Sequence, residues 1–194
     1  MARTDNLYQL PAGLPEPQDD GACAHLPGMQ LPSIALAATG GGSVDLSALK
    51  GWSVVYIYPR TGKPDEAPPA GWDAIPGARG CTPQSCGYRD HYQELLDLGV
   101  DHLFGLSTQD TGYQEELVAR LHLPFRILSD EKLELQRALN LPTFEVEGMT
   151  LIKRLTLVIH DGVIEHVFYP VFPPDTSAPT VIHWLVERKA GHFL

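Results

Sequence analysis

Apolar residues recur at helical spacing around position 88 and in unbroken β-rich runs on either side of it. Tyr88, Tyr92, Leu95 and Leu96 lie on one helical stripe, and earlier turns add Ser85 and Cys81 to it. Cys86 falls with Arg89, Asp90, Gln93 and Asp97 on the polar side. One thiol is therefore directed to the core and one toward solvent. Upstream, Trp52–Tyr58 is a continuous β-rich run, the mark of a buried central strand, and Pro59 ends it. Leu31–Leu49, broken by Gly40-Gly41-Gly42, reads as a hairpin at a sheet edge. Downstream, strands are predicted over Leu103–Ser107 and Phe125–Leu128. Helices are predicted over Gly112–Leu121 and Asp130–Leu139, the second with Ser129 as its cap. Arg154–His160 and Val163–Tyr169 flank Asp161-Gly162, a two-residue hairpin signal. Phe172–Pro179 is a proline-rich turn region and Thr180–Lys189 a closing helix. This order implies an α/β fold, a mixed sheet with helices on both faces.

Two segments lack periodicity. Residues 1–26 are rich in Pro, Gly and acids and read as an extended or partly mobile arm ahead of one domain over 27–194. Cys23 sits in that arm as an incidental free thiol, the alternative being a contact or mixed-disulfide role. Arg60–Arg79 is a long Pro- and Gly-rich loop, and long ordered loops usually carry function. It runs from the central strand straight to Cys81, so the thiol is placed at the carboxyl end of that strand, where ligand sites in α/β sheets gather. Trp72 reads as the loop's hydrophobic anchor rather than a recognition residue.

The chain has 194 residues and a net charge of -10, with 43% hydrophobic and 20% charged residues. The length fits one domain with a substantial core. The acidity argues against nucleic acid and anionic membrane as partners. Met1–Pro17 has no basic start or apolar run, so no secretory signal is expected, and no run approaches a membrane span. Three cysteines, only two of them close together, fit reduced cytoplasmic thiols rather than a structural disulfide framework. No metal is expected either: His91 alone does not complete a zinc set with the two thiols.

The chemistry gathers at Cys81 and Cys86. A helix start offers unpaired N–H groups and partial positive charge, which favour the thiolate, the reactive form of cysteine. Cys81 is thus the better nucleophile and Cys86 lies a turn further in. Five residues of ideal helix separate two Cα atoms by roughly 8–9 Å, beyond the limit of about 7 Å for a disulfide. The two thiols cannot bond while both sit in wound helix. Thr82 as cap and Pro83 as first residue specify a helix beginning one turn later. There Cys81 and Cys86 occupy the paired positions of a hydrophobic staple. The expectation is a switch between a wound register, with Cys81 buried, and a frayed one, with Cys81 reaching Cys86.

The run Gly80-Cys81-Thr82-Pro83-Gln84-Ser85-Cys86-Gly87-Tyr88-Arg89-Asp90 resembles the Gly-Cys-Thr-x-x-x-Cys-x-Phe-Arg-Asp motif of peroxiredoxins of the PrxQ or bacterioferritin-comigratory-protein type. Arg154-Leu155-Thr156-Leu157-Val158-Ile159, followed by Asp161-Gly162, is similar to a strand and turn of the same family. The resemblance runs from about Pro27 to the last helix and implies a thioredoxin-like fold. It implies a thiol-dependent peroxidase acting on hydrogen peroxide and organic hydroperoxides, without metal or organic cofactor. Cys81 would be the peroxidatic thiol, oxidised to sulfenic acid, and Cys86 the resolving one that closes an intramolecular disulfide. A thioredoxin-like reductant would reopen it. Arg154 would hold the thiolate and the leaving oxygen. The protein would act as a monomer or weak homodimer.

The family pattern places a proline seven and a hydroxyl residue three positions before the peroxidatic cysteine; here Ala74 and Ala78 stand there. Pro59 and Thr61 match in type, with an active-site insertion over 60–79 between them and Cys81. Thr61 is therefore the candidate to donate a hydrogen bond to the peroxide if the loop folds back. Arg89 divides between an exposed ion pair and a supporting role beside Cys81. The rival functions are a disulfide oxidoreductase on the same fold, which would usually carry Cys-x-x-Cys, and a redox sensor without efficient turnover.

Overall fold

The computed structural model describes residues 3–191. Residues 1–2 of the arm and 192–194 of the domain, as delimited from sequence, lie outside the described residues. Among the described residues there are nine strands: β1 (Ala35–Ala38), β2 (Ser43–Asp45), β3 (Trp52–Ile57), β4 (Val100–Ser107), β5 (Arg126–Ser129), β6 (Thr143–Val146), β7 (Met149–Ile152), β8 (Leu155–His160) and β9 (Val163–Phe168). Five α-helices join them: α1 (Cys81–Asp90), α2 (Tyr92–Asp97), α3 (Thr111–Leu121), α4 (Glu134–Leu139) and α5 (Ser177–Gly191).

Seven strands form one mixed sheet in the order β2-β1-β5-β4-β3-β8-β9. β3 pairs parallel with β4 and antiparallel with β8. It is the central strand that its sequence predicts. Side chains alternate along it. Val55 and Ile57 join one core layer with Leu135 and Leu139 of α4 and with Cys23, Leu26 and Leu31. Val54, Tyr56 and Tyr58 join the other with Tyr88, Leu95, Leu117 and Val181 of α1, α2, α3 and α5. Helices on both faces of a mixed sheet make the fold thioredoxin-like, as expected.

Local expectations change at several points. The helix foreseen over Asp130–Leu139 begins only at Glu134, after Leu133 at φ 57°. Ser129 ends β5 instead of capping; the Asp130 carboxylate accepts from Leu135 N (3.0 Å) and Gln136 N (2.8 Å). The unforeseen hairpin β6–β7 turns through Glu147 and Gly148 at φ 48° and 77°, the left-handed pair of a tight hairpin. It packs on the long loop, where Trp72 lies 6.1 Å from Phe144, ring centre to ring centre. Trp72 is a buried anchor of the loop.

Candidate active site

Strand β3 runs into the 60–80 loop, and the loop delivers the chain to α1. Gly80 precedes the helix at φ 107°. A Cβ there would stand 2.6 Å from Leu10 Cδ2 and 2.7 Å from Pro174 Cγ. Glycine is thus required both by conformation and by close approach. Cys81 is the first helical residue, and Gln84 N donates to Gly80 O at 3.0 Å to close the first turn. The helix is wound, and both of its cysteines are free thiols.

The inner face of α1 is tied to the sheet and to α5. Tyr88 stacks on Tyr56 with ring centres 4.3 Å apart. Tyr56 OH donates to Ser85 Oγ at 3.0 Å, and the Tyr88 and Ser177 hydroxyls meet at 2.9 Å. Cys81, Ser85, Tyr88 and Leu95 are buried on this face, as their spacing predicts. Tyr92 and Leu96 are only partly buried, because the helix breaks at His91 before α2. Cys86 is half-buried rather than open to solvent, since Tyr8, Gln9 and Leu10 of the N-terminal segment lie beside it. Burial pushes the Cys86 thiol above its ordinary range. The Cys23 thiol is buried in the other core layer and pushed up to about 12, chiefly by loss of solvent.

Cys81 Sγ lies 3.2 Å from Arg154 Nη2 and 3.7 Å from the Ala78 carbonyl. Arg154 opens the turn into β8 and is 3% exposed. Its guanidinium donates to the carbonyls of Gly77 (3.2 Å), Ala78 (3.0 Å) and Arg79 (3.3 Å), and to Gln84 Oε1. Among the described residues no carboxylate pairs with it. Gln84 in turn donates from Nε2 to Ser177 Oγ at 3.2 Å. Sequence reasoning passed over Gln84, although a residue three beyond Cys81 shares its helical face. Arg89 does not approach Cys81; it pairs with Asp90 at 2.9 Å and donates to Leu121 O at 3.0 Å.

The loop does fold back. Thr61, Cys81 and Thr82 line one small cavity together with Arg60, Trp72, Arg79 and Tyr113. Thr61 is 2% exposed, and Gln109 holds it from both sides: Thr61 N and Oγ1 donate to Gln109 Oε1 (3.0 and 3.1 Å), and Gln109 Nε2 donates to Thr61 O (3.1 Å). Thr82 Oγ1 is buried with no hydrogen-bond partner among the described residues. Arg3 and Leu7 of the N-terminal segment complete the cavity wall. Nothing in the sequence pattern pointed to them. Among the described residues no group of His, Cys, Asp and Glu could hold a metal, and no helix is long and apolar enough to cross a membrane.

A thiol in the first turn of α1, with the arginine that immediately precedes β8 against it, defines a thiol site on a thioredoxin-like fold. The redoxin family model matches residues 26–182. The chain belongs to the redoxin family and, within it, to the peroxiredoxin Q/Bcp group. Peroxiredoxin Bcp of Escherichia coli K12 is 32% identical over 162 residues, covering 81% of this chain and 93% of that one. The chloroplastic peroxiredoxin Q of Oryza sativa subsp. japonica is 32% identical over 150 residues, 76% of this chain. The match spans 61% of that longer relative. Among solved structures, the peroxidoxin BcpB of Mycobacterium tuberculosis superposes with a TM-score of 0.68 over 84% of this chain and 98% of its own, at 22% identity.

Proposed function

We propose that the chain is a thiol peroxidase that reduces hydrogen peroxide and organic hydroperoxides. One observation carries this reading. The buried Arg154 guanidinium has no carboxylate partner among the described residues, and it meets the sulfur of Cys81 at 3.2 Å. A buried cation needs a counter-charge. The thiolate that attacks a peroxide supplies one, and so does the oxygen that leaves.

In the first step the Cys81 thiolate forms a bond to the terminal peroxide oxygen, and the O–O bond breaks. Sulfur is oxidised to sulfenic acid, and the other oxygen departs as water or an alcohol after taking a proton. Arg154 spans the developing charge. Thr61, whose hydroxyl proton is committed to Gln109 Oε1, offers its lone pairs to the peroxide O–H. In the second step Cys86 sulfur attacks the sulfenic sulfur, water leaves and a disulfide forms. Both thiols lie within wound α1, so the first turn must unwind for this. Unwinding also wets the half-buried Cys86, which lowers the barrier to its ionisation. A thioredoxin-like dithiol then reopens the disulfide by exchange. We assign the protein to the cytoplasm, where thiols are kept reduced, as a monomer or weak homodimer.

The test is mass mapping after one equivalent of hydrogen peroxide. Wild type should yield a Cys81–Cys86 disulfide with Cys23 unmodified. Cys86→Ser should stop at the sulfenic acid of Cys81, and Cys81→Ser should consume no peroxide. An unmodified Cys81 in the wild type refutes the proposal.

A further inference from the structure

Two segments wall the cavity over Cys81. One is the long loop, through Gly62, Ala67, Pro68, Pro69 and Trp72. The other is the N-terminal segment, through Arg3 and Leu7. What remains is about 30 Å³ for the centres of water-sized groups. A water needs roughly 10–15 Å³ on that measure. Beside the thiol the space therefore admits the two oxygens of a hydroperoxide, and a phenyl or long alkyl group has to lie against these two walls on its way to the open side.

The N-terminal part of this wall is fastened. Asp5 lies 2.5 Å from Arg79 Nη2 and 2.8 Å from Arg3 Nε. The other contact of Arg79 with the segment is a bond from Nη2 to Asn6 O at 3.2 Å. Leu7 is buried, and Leu10 packs on Gly80. Tyr8 OH accepts from Arg120 at 3.3 Å. The segment is thus tied on both sides of Leu7, within two residues of the reactive thiol.

We infer that residues 3–10 set the size of hydroperoxide the site accepts, with Leu7 as the specificity-determining side chain. The inference rests on the peroxidase reading above. Hydrogen peroxide reaches Cys81 with the segment in place. A bulky organic hydroperoxide reacts only when Leu7 is drawn aside, and its rate carries the cost of detaching Asp5 from Arg79. The organic branch of the activity is therefore the slower one and is governed by the arm.

The experiment compares second-order rate constants for oxidation of Cys81 by hydrogen peroxide and by cumene hydroperoxide, read by rapid quench and mass analysis. This readout needs no electron donor. The wild type should favour hydrogen peroxide by about tenfold or more, and Leu7→Ala should shrink that preference by about tenfold, the scale of a changed apolar pocket wall. Asp5→Ala, which unties the segment and leaves Leu7 intact, should move the ratio the same way; it serves if Leu7→Ala does not fold. Equal rate constants in the wild type, or a preference unchanged in both variants, would overturn the inference while leaving the peroxidase intact. Failure of either peroxide to oxidise Cys81 would instead remove the peroxidase reading, and this inference with it.

Discussion

Two buried arginines stand beside the first turn of α1, and they are solvated by the protein in opposite ways. Arg79 is 5% exposed and meets two carboxylates, Asp5 at 2.5 Å and Asp73 at 3.1 Å. Arg154 is 3% exposed and meets none among the described residues; carbonyls, one amide and a sulfur surround it. A guanidinium neutralised by two acids is a fastener, and its charge is already spent on the arm and the loop. A guanidinium held by neutral acceptors keeps its charge for whatever appears beside it. The difference separates a residue that shapes the cavity from one whose charge is available to the Cys81 sulfur under the proposed function.

The largest effect should follow Arg154→Lys. Lysine keeps the charge but loses the planar fork that reaches Gln84 and Cys81 at once. The rate of Cys81 oxidation should fall by roughly a hundredfold, the scale of losing one preorganised donor to a developing negative charge. Stopped-flow oxidation with hydrogen peroxide measures it, and a rate within twofold of wild type would reduce Arg154 to a structural role.

Arg79→Gln should act on stability instead. It breaks the pairs to Asp5 and Asp73, whose carboxylates are partly solvated, so the loss should be roughly 1–2 kcal/mol in urea unfolding. Were it to slow Cys81 oxidation as much as Arg154→Lys, the contrast between the two arginines would collapse.

The smallest effect concerns pH. Burial raises the pKa of Asp5, but hydrogen bonds from Arg3 and Arg79 outweigh it, and the net shift is downward. A carboxyl lowered in the folded state contributes stability above its unfolded pKa and loses it as pH falls through the folded one. The melting temperature of Asp5→Asn should therefore lie below that of wild type near neutrality, and the gap should close as pH drops below about 4. A gap that persists in acid would detach Asp5 from the stability of the arm.

How much of this was legible in the sequence depended on range. The burial of Cys81, Ser85 and Tyr88 followed from helical spacing, and the placement of β3 from its unbroken apolar run. Those signals are local, and the physics behind them is local too. Arg154 was reached only through resemblance, because no periodicity links it to a thiol 73 positions away. The arm was illegible. Residues 3–10 are held by contacts between residues far apart in the chain, such as Tyr8 with Arg120, 112 positions apart. A Pro- and Gly-rich segment with no stripe gives no reason to expect them. The β6–β7 hairpin was missed because Glu147-Gly148 is a weaker turn signal than Asp161-Gly162. α4 was begun too early because Asp130, rather than Ser129, takes up the free amides.

Thr82 holds one further consequence. In the wound helix its hydroxyl is buried at the wall of the cavity and bonds to no protein group among the described residues. When the first turn opens, the same oxygen becomes free to receive the backbone amides at the new helix start. The opened register therefore offers this oxygen backbone partners that the wound one withholds, which favours the unwinding that the proposed joining of the two sulfurs requires.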